Sequence, residues 1–190
     1  MQVTKQNVIS FIRELVIVII GILIALSINT WNANRKDEIF IEKALFAIEE
    51  EISLNQTDIR SIVQKHENTL DTIAIYVDDD HMSLEQIIKR VSGFQVAELK
   101  NIGLRFFISD KAELIDYETI SMLSEIEFHS ETVKTKTQNL VNHLYNKLDS
   151  TNKSDKHKFA IYLSDIMNSE LKLLKLYDAF LNERTNASPD

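Results

Sequence analysis

The near absence of chain-breaking residues limits the possible folds more than any other feature of this sequence. Its 190 residues include only three glycines and one proline. A β-sandwich or β-barrel needs a turn about every 8–12 residues, and most turns rely on such residues. The glycines, at positions 21, 93 and 103, are too far apart to form a phosphate-binding loop. The absence of cysteine excludes disulfides, cysteine nucleophiles and thiolate metal sites. We therefore predict an all-α protein.

An uncharged stretch from Leu15 to Asn34 is the second constraint on the fold. Its apolar core, ending at Ile28, would form a helix about 21 Å long, which is shorter than the roughly 30 Å of bilayer hydrocarbon. Extending the helix to Trp31, or back to Val8, brings it to a spanning length. An aromatic residue at the end of an apolar helix is typical of a membrane–water interface. We predict that residues 1–34 form a membrane anchor.

Two alternatives for this segment remain open. A buried core helix is rarely apolar on every face. The segment could instead be a cleaved signal peptide, because Ala25-Leu26-Ser27 has the small-x-small pattern of a cleavage site after an apolar run. The residues that we single out for the anchor are Leu15, Gly21, Ala25 and Trp31.

The balance of basic and acidic side chains changes just after the apolar stretch. Residues 1–36 carry four basic and one acidic side chain, whereas residues 37–190 carry seventeen basic and twenty-eight acidic ones. Basic residues lie on both sides of the apolar stretch, so the positive-inside rule does not decide its orientation. The acidic balance of the larger part disfavours nucleic acid as a partner.

The run from Glu14 to Asp37, ELVIVIIGILIALSINTWNANRKD, resembles the opening of an uncharacterised family of Bacteroidota single-pass membrane proteins (domain of unknown function 6090). The matching residues are Glu14, Gly21, Ala25, Leu26, Ile28, Asn29, Trp31, Asn32, Arg35 and Lys36. A second stretch, Asp116 to Tyr145, is similar to a later region of that family without its glycine and tyrosine pair. The resemblance implies a cytoplasmic N-terminus, a helical domain outside the inner membrane and no known activity.

Beyond the anchor, apolar residues recur at alternating spacings of four and three, which is heptad patterning. They are Ile41, Leu45, Ile48, Ile52, Ile59, Ile62 and Ile73, with Asn55, His66, Thr69 and Tyr76 in the intervening positions. We predict that the transmembrane helix continues into a long helix that packs in an antiparallel helical bundle. This bundle domain would cover residues 35–184, followed by a disordered tail at 185–190. The polar residues of the seam would set register or chain number.

Local signals predict the remaining helix ends. The predicted end signals are Asp78–Asp80 after the long helix, Ser83 with Gln86 as a capping box, Gly93 as a helix stop, a break at Asn101–Gly103, and Asp110 and Ser130 as caps of two further helices. The last helix is predicted from Lys156 to Glu183. Its expected apolar face comprises Phe159, Leu163, Met167, Leu171, Leu174, Tyr177 and Leu181.

No group of residues in the sequence predicts catalysis or a cofactor. Zinc-hydrolase and serine-elbow motifs are absent. Asp78-Asp79-Asp80-His81 is the densest set of metal-type ligands, and we interpret it as a solvated helix end. We interpret His66 as a tolerated polar residue of the core. We therefore expect neither an enzyme nor a metal or cofactor site.

These features favour a membrane-tethered helical interaction or scaffold module, either an accessory component of an envelope complex or a self-associating protein. The candidate interaction residues are Arg13, Glu14, Ile41, Leu45, Ile48 and Ile52. Gly21 and Ala25 have the small-x-x-x-small spacing that lets helices approach closely in lipid. The expected partners are the lipid bilayer and a protein, which includes a second copy of the chain. The expected location is the bacterial inner membrane, with a periplasmic C-terminal domain. The alternative is an extracytoplasmic helical bundle that senses a small ligand.

Overall fold

The described part of the chain folds into five helices, and the all-α prediction is confirmed. A computed structural model describes residues 5–111 and 114–187, with side chains over 11–109 and 114–186. The helices are α1 (Lys5–Tyr76), α2 (Leu84–Arg90), α3 (Ile102–Lys111), α4 (Tyr117–Lys147) and α5 (Lys153–Ala187). No β-strand occurs in these described ranges. Helix α5 continues into the segment that we predicted as a tail, at 185–187.

Two compact units make up the chain, and they divide after Lys43 rather than after residue 34. The first unit, residues 1–43, contains the apolar stretch, and its described part is helical throughout. The second unit, residues 44–190, contains the bundle.

The predicted heptad seam forms the core of the second unit. Its buried apolar members are Leu45, Ile48, Ile52, Ile59, Ile62 and Ile73. The polar seam residues Asn55, His66 and Thr69 are buried with them. The seam is therefore the inner face of α1, as its spacing predicts.

Helix α5 runs antiparallel to α1, and polar contacts fix this direction. Residues near the C-terminus of α5 contact residues near the start of the bundle part of α1. Residues near the N-terminus of α5 contact the C-terminal end of α1. The contacts are Arg184 Nε with Glu49 Oε1 at 2.5 Å, Asn55 Nδ2 with Tyr177 OH at 3.4 Å, His66 Nδ1 with Glu170 Oε2 at 3.1 Å and Lys156 Nζ with Tyr76 O at 3.1 Å.

Helix α4 is also antiparallel to α5. Lys136 Nζ lies 2.8 Å from Asp165 Oδ1, and Lys147 Nζ lies 3.5 Å from Asp155 Oδ2. Helices α1 and α4 consequently run in the same direction, so the chain must travel back along the bundle between them. Helix α2, an extended segment and α3 make this return. The prediction of an antiparallel bundle is confirmed.

Helix α2 begins and ends as the sequence predicts. Ser83 and Gln86 form a reciprocal capping box, in which each side chain bonds the other residue's backbone N–H. At the other end, Ser92 and Gly93 both have positive φ, +65° and +96°. The Ser92 N–H donates to Lys89 O at 3.2 Å and the Gly93 N–H donates to Ile88 O at 2.9 Å. These two bonds form a Schellman motif, in which Ser92 takes the left-handed position and Gly93 follows it.

The predicted caps at Asp110 and Ser130 are wrong. Position 110 lies inside α3, and α4 is continuous through Ser130, which is buried. The residue that caps α4 is Asp116, whose carboxylate accepts the Thr119 N–H at 2.8 Å and the Thr119 hydroxyl at 2.9 Å. These bonds to the Thr119 backbone and hydroxyl stabilise the charged carboxylate and lower the pKa of Asp116. The sequence offered several Asp and Ser residues of equal capping propensity, and packing selected among them.

The apolar face of α5 is rotated from the predicted one. Phe159, Leu163 and Tyr177 are buried as expected, but Leu171 is 39% exposed. The other buried residues of this face are Ile166, Glu170, Leu173 and Phe180. Because α5 has apolar residues on two neighbouring stripes, periodicity alone did not decide which stripe faces the core.

Candidate functional site

One helix in the described part of the chain is long and apolar enough to cross a membrane, and it lies near the N-terminus. None of its apolar window is buried within the chain. The large apolar side chains exposed there are Phe11, Ile12, Leu15, Val16, Ile17, Val18, Ile19, Ile20, Ile22, Leu23, Ile24, Leu26, Ile28 and Trp31. A soluble protein rarely leaves so large a continuous apolar surface uncovered. This surface is the first candidate functional site.

Polar groups within and beside the apolar surface are satisfied locally. Ser27 Oγ donates to Leu23 O at 2.8 Å, so this hydroxyl needs no water. The Arg35 guanidinium lies over the Trp31 ring, 5.8 Å from its centroid, in a cation–π contact. Amphipathic aromatic rings and arginine side chains favour the headgroup level of a bilayer.

Gly21 and Ala25, the proposed close-approach pair, lie on this exposed helix. Apart from its chain neighbours and the backbone of its own helix, a Cβ atom added at Gly21 would meet no described atom within 4 Å. Arg13 and Glu14 lie in the same helix, before the uncharged stretch. The structure therefore places all four residues in the first unit, outside the bundle core.

Three predicted interaction residues are not available to a partner. Leu45, Ile48 and Ile52 are at most 5% exposed, and the chain's own bundle covers them. Ile41 is half-buried and belongs to the first unit. The interpretation of this part of the seam as an open interaction surface is therefore corrected: it is core.

A row of polar side chains on α1 binds the extended segment 94–101 and the first turn of α3, and this row is the second candidate site. Asn55 makes a two-point bond with Lys100, in which Nδ2 donates to Lys100 O at 2.7 Å and Oδ1 accepts from Lys100 N at 2.9 Å. The neighbouring bonds are Gly103 N to Glu51 Oε2 at 2.8 Å, Glu98 N to Asp58 Oδ2 at 2.7 Å and His66 Nε2 to Gln95 O at 2.9 Å. We call this set the α1 clasp.

The α1 clasp continues into the bundle core. Asn55 Nδ2 also lies 3.4 Å from the buried hydroxyl of Tyr177, which in turn lies 3.5 Å from Ser130 Oγ. Burial raises the pKa of the Tyr177 hydroxyl, because the phenolate form would lose its hydration. The heptad pattern identified Asn55 and His66 as polar seam residues, but it carried no signal for the segment that they bind.

The remaining polar clusters have structural partners. Asp78 pairs with Lys153, and His81 N donates to Asp79 Oδ1 at 2.9 Å. Three or more His, Asp or Glu side chains do not gather into a metal-type cluster anywhere in the described residues. An open groove of about 380 Å³ between α4 and α5 is lined by Lys136, Asn139, His143, Tyr162 and Asp165. Its lysine and aspartate neutralise each other, so the groove does not favour a charged ligand.

No family model matches this chain, and no curated protein or solved structure shows significant similarity to it. The resemblance to the Bacteroidota membrane-protein family therefore stays a prediction.

Proposed function

We propose that this protein is a membrane-tethered helical interaction module, in which the apolar helix spans a bilayer and the bundle engages another protein. The observation that carries the proposal is the uncovered apolar surface of the first unit, of which the chain buries nothing. Exposure of so large an apolar surface to water is unfavourable in free energy, whereas its exposure to bilayer hydrocarbon is not.

The length of the uncharged helix supports this proposal. Leu15 to Asn34 is entirely helical, and its 20 residues rise about 30 Å, which matches the hydrocarbon thickness of a bilayer. Arg13 and Arg35 then lie just beyond the two ends of the span, where their charged groups reach the lipid headgroups. The exposure of the segment also disfavours its role as a buried core helix.

A test of the anchor combines membrane fractionation with charge substitutions. We expect the wild-type protein to stay in the membrane pellet after an alkaline wash, and the double variant Ile20→Arg, Leu23→Arg to be released. Arginine in the middle of a span costs about 2.5–3.5 kcal/mol on insertion scales. The matched control is Phe46→Arg, Leu54→Arg, which places the same two charges on exposed bundle residues. Release of the wild type, or a soluble form that begins near Ile28, would refute the anchor.

We place the N-terminus in the cytoplasm and the bundle outside the bacterial inner membrane. The family resemblance supports this orientation, and the large acidic domain is compatible with export. Reporters that are active only in the periplasm or only in the cytoplasm, fused after Asp190, distinguish the two orientations. Activity of the cytoplasmic reporter alone would reverse our assignment.

Exposed apolar side chains on the bundle support an interaction role. Ile102 is 80% exposed and Phe106 is 53% exposed, one turn apart on α3. Leu104 and Phe107 of the same helix are buried, so α3 is packed on one side and open on the other. The detergent-solubilised, tagged protein should copurify with a partner, and Ile102→Ser, Phe106→Ser should lose that partner without loss of helix content. Equal recovery with Phe128→Ser and with the α3 variant would show that α3 is not the contact.

A further inference from the structure

We propose that His66 and Glu170 form a buried proton-binding site that fastens the first residues of the extended segment, Phe94 and Gln95, to the bundle only while the site holds its proton. The imidazole lies between an acceptor on each side: Nε2 is 2.9 Å from the carbonyl oxygen of Gln95, and Nδ1 is 3.1 Å from Glu170 Oε2. Both side chains are 1% exposed.

Hydrogen-bond accounting fixes the number of protons in this arrangement. A carbonyl oxygen only accepts, so Nε2 must carry a hydrogen and donate it to Gln95 O. Nδ1 and Glu170 Oε2 then need a second hydrogen between them. It is carried either by the imidazole, which gives an ion pair, or by the carboxyl group, which gives a neutral pair. In both cases the pair holds one more proton than a neutral histidine with a carboxylate.

The burial of the site makes this proton essential. Without it, the Nδ1 lone pair would face a carboxylate oxygen with no water to separate them, and an unpaired buried charge is costly. Glu170 Oε1 is also buried, and none of the described residues forms a hydrogen bond with it. Loss of the proton therefore leaves the Glu170 carboxylate without any compensating donor.

Charged side chains on the elements that pack around the site have partners of their own. On α1, Lys65 bonds Gln95 Oε1 and Glu67 accepts from Gln64. From the extended segment, the Phe94 ring stacks on the imidazole, with centroids 5.5 Å apart, and Glu98 bonds Asp58 through its backbone. On α4, Lys136 pairs with Asp165 of α5.

The site connects three parts of the fold. His66 belongs to α1, Glu170 to α5 and Gln95 to the extended segment. A donor bond from Nε2 is the link between the site and the segment, and Phe94 covers the ring. When the proton leaves, the imidazole must turn or move away from Glu170. We expect the Gln95 bond and the Phe94 stack to be lost with it, which frees residues 94 and 95 from α1.

The predicted pH dependence follows from comparison with the unfolded chain. There, a histidine gives up its proton near pH 6.5 and a glutamic acid near pH 4.3. The hydrogen-bonded arrangement contains one proton more than the unfolded chain carries on these two groups above about pH 6.5, so folding into it takes up a proton there. By linkage, stability then falls as the pH rises, and the unfolding equilibrium constant should increase by up to about tenfold per pH unit. His129, whose pKa is lowered by burial and by Lys172, contributes with the opposite sign and below about pH 6.5, where the unfolded histidine is protonated.

The test compares the full-length protein in detergent with Glu170→Gln. The glutamine amide donates to Nδ1 of a neutral His66, so the variant keeps the hydrogen bonds and needs no extra proton. We expect the wild type to lose stability to urea relative to this variant between pH 7 and 9, by up to about tenfold in the equilibrium constant per unit. The contribution of His129 cancels in this comparison. Equal slopes for the two proteins would overturn the proposal.

Two further measurements keep the proposal falsifiable. If Glu170→Gln does not fold, unfolding of the wild type at pH 8 in weak buffer should release about one proton, and release of none refutes the site. Hydrogen exchange of residues 94–96, corrected for its intrinsic pH dependence, should rise in the wild type above neutral pH, whereas the amides of Glu98 and Lys100, which Asp58 and Asn55 hold, should not change. If the segment exchanges no faster at pH 9 than at pH 7 while stability falls, the site does not act on the segment.

Discussion

The side-chain amide of Asn55 pairs with both backbone polar groups of Lys100, at 2.7 and 2.9 Å. This arrangement imitates one rung of a β-ladder, although its two partners are a helix side chain and an extended backbone. The extended segment has no neighbouring strand in the described part of the chain. Side chains of α1 therefore provide the hydrogen bonds that this backbone would otherwise lack.

Removal of the Asn55 amide should destabilise the bundle. Asn55→Ala leaves the Lys100 N–H and C=O without these partners, and we expect a loss of about 1–3 kcal/mol. Urea unfolding followed by circular dichroism measures it. The control is Thr57→Ala, whose exposed hydroxyl bonds Ser53 O within the same helix. This control should stay within about 0.5 kcal/mol of the wild type, and an equally small effect at Asn55 would contradict the two-point bond.

Lys156 should act as the C-terminal cap of α1. Its Nζ is fully buried with the side chain and donates to Tyr76 O at 3.1 Å and Asp79 O at 2.6 Å. A positive charge there also interacts favourably with the helix dipole. We expect Lys156→Met to cost about 1–2 kcal/mol, because these carbonyls lose a charged donor. The exposed Lys158→Met is the matched control, and a more stable Lys156 variant would show that burying the charge costs more than the bonds return.

The bundle should fold without the anchor. The inner faces of α1, α4 and α5 cover one another within residues 44–190, and one of their shared clusters joins Ile73, Leu140, Leu144, Phe159 and Leu163. Residues 37–190, prepared alone, should give a strongly helical far-ultraviolet spectrum and a single cooperative melt. Strong strand signal, or a melt without a sigmoidal transition, would contradict this prediction.

Self-association through the anchor can be tested at Gly21 and Ala25. Since a Cβ at Gly21 would meet no described side chain within 4 Å beyond its chain neighbours, we expect a leucine there to leave the internal contacts intact and to block close approach of another helix. We expect the full-length protein in detergent to associate, and Gly21→Leu, Ala25→Leu to be monomeric by light scattering. If the wild type is monomeric, or if both proteins associate equally, the anchor does not drive self-association, and the expected partner is then a different protein.

Particular residues show how far sequence reasoning reached. Heptad spacing identified the buried face of α1 from Leu45 to Ile73, because one helix face repeats along the chain whatever covers it. The same reasoning misplaced the start of α4 at Asp110 and Ser130, and it chose the neighbouring stripe on α5. Capping residues and apolar stripes occur in excess of what the fold uses, so local signals alone do not select among them.

The candidate sites also differ in how far the sequence could predict them. The apolar surface could be predicted in full, since its length and composition are properties of consecutive residues. The α1 clasp and the His66–Glu170 pair could not. Their partners lie 29 to 104 positions apart in the sequence, and no spacing rule connects such residues.

By itself, the sequence determined that the chain is helical, that one stretch is suited to lipid and which face of the long helix is buried. These properties depend on backbone propensity and on hydrophobic periodicity, both of which are local. Only the tertiary structure decided that α3 and the extended segment run back along α1, and that Asn55 and His66 bind backbone rather than another chain. A polar side chain in a core takes its role from whichever donor or acceptor packing brings within about 3 Å, and packing is a property of the whole fold.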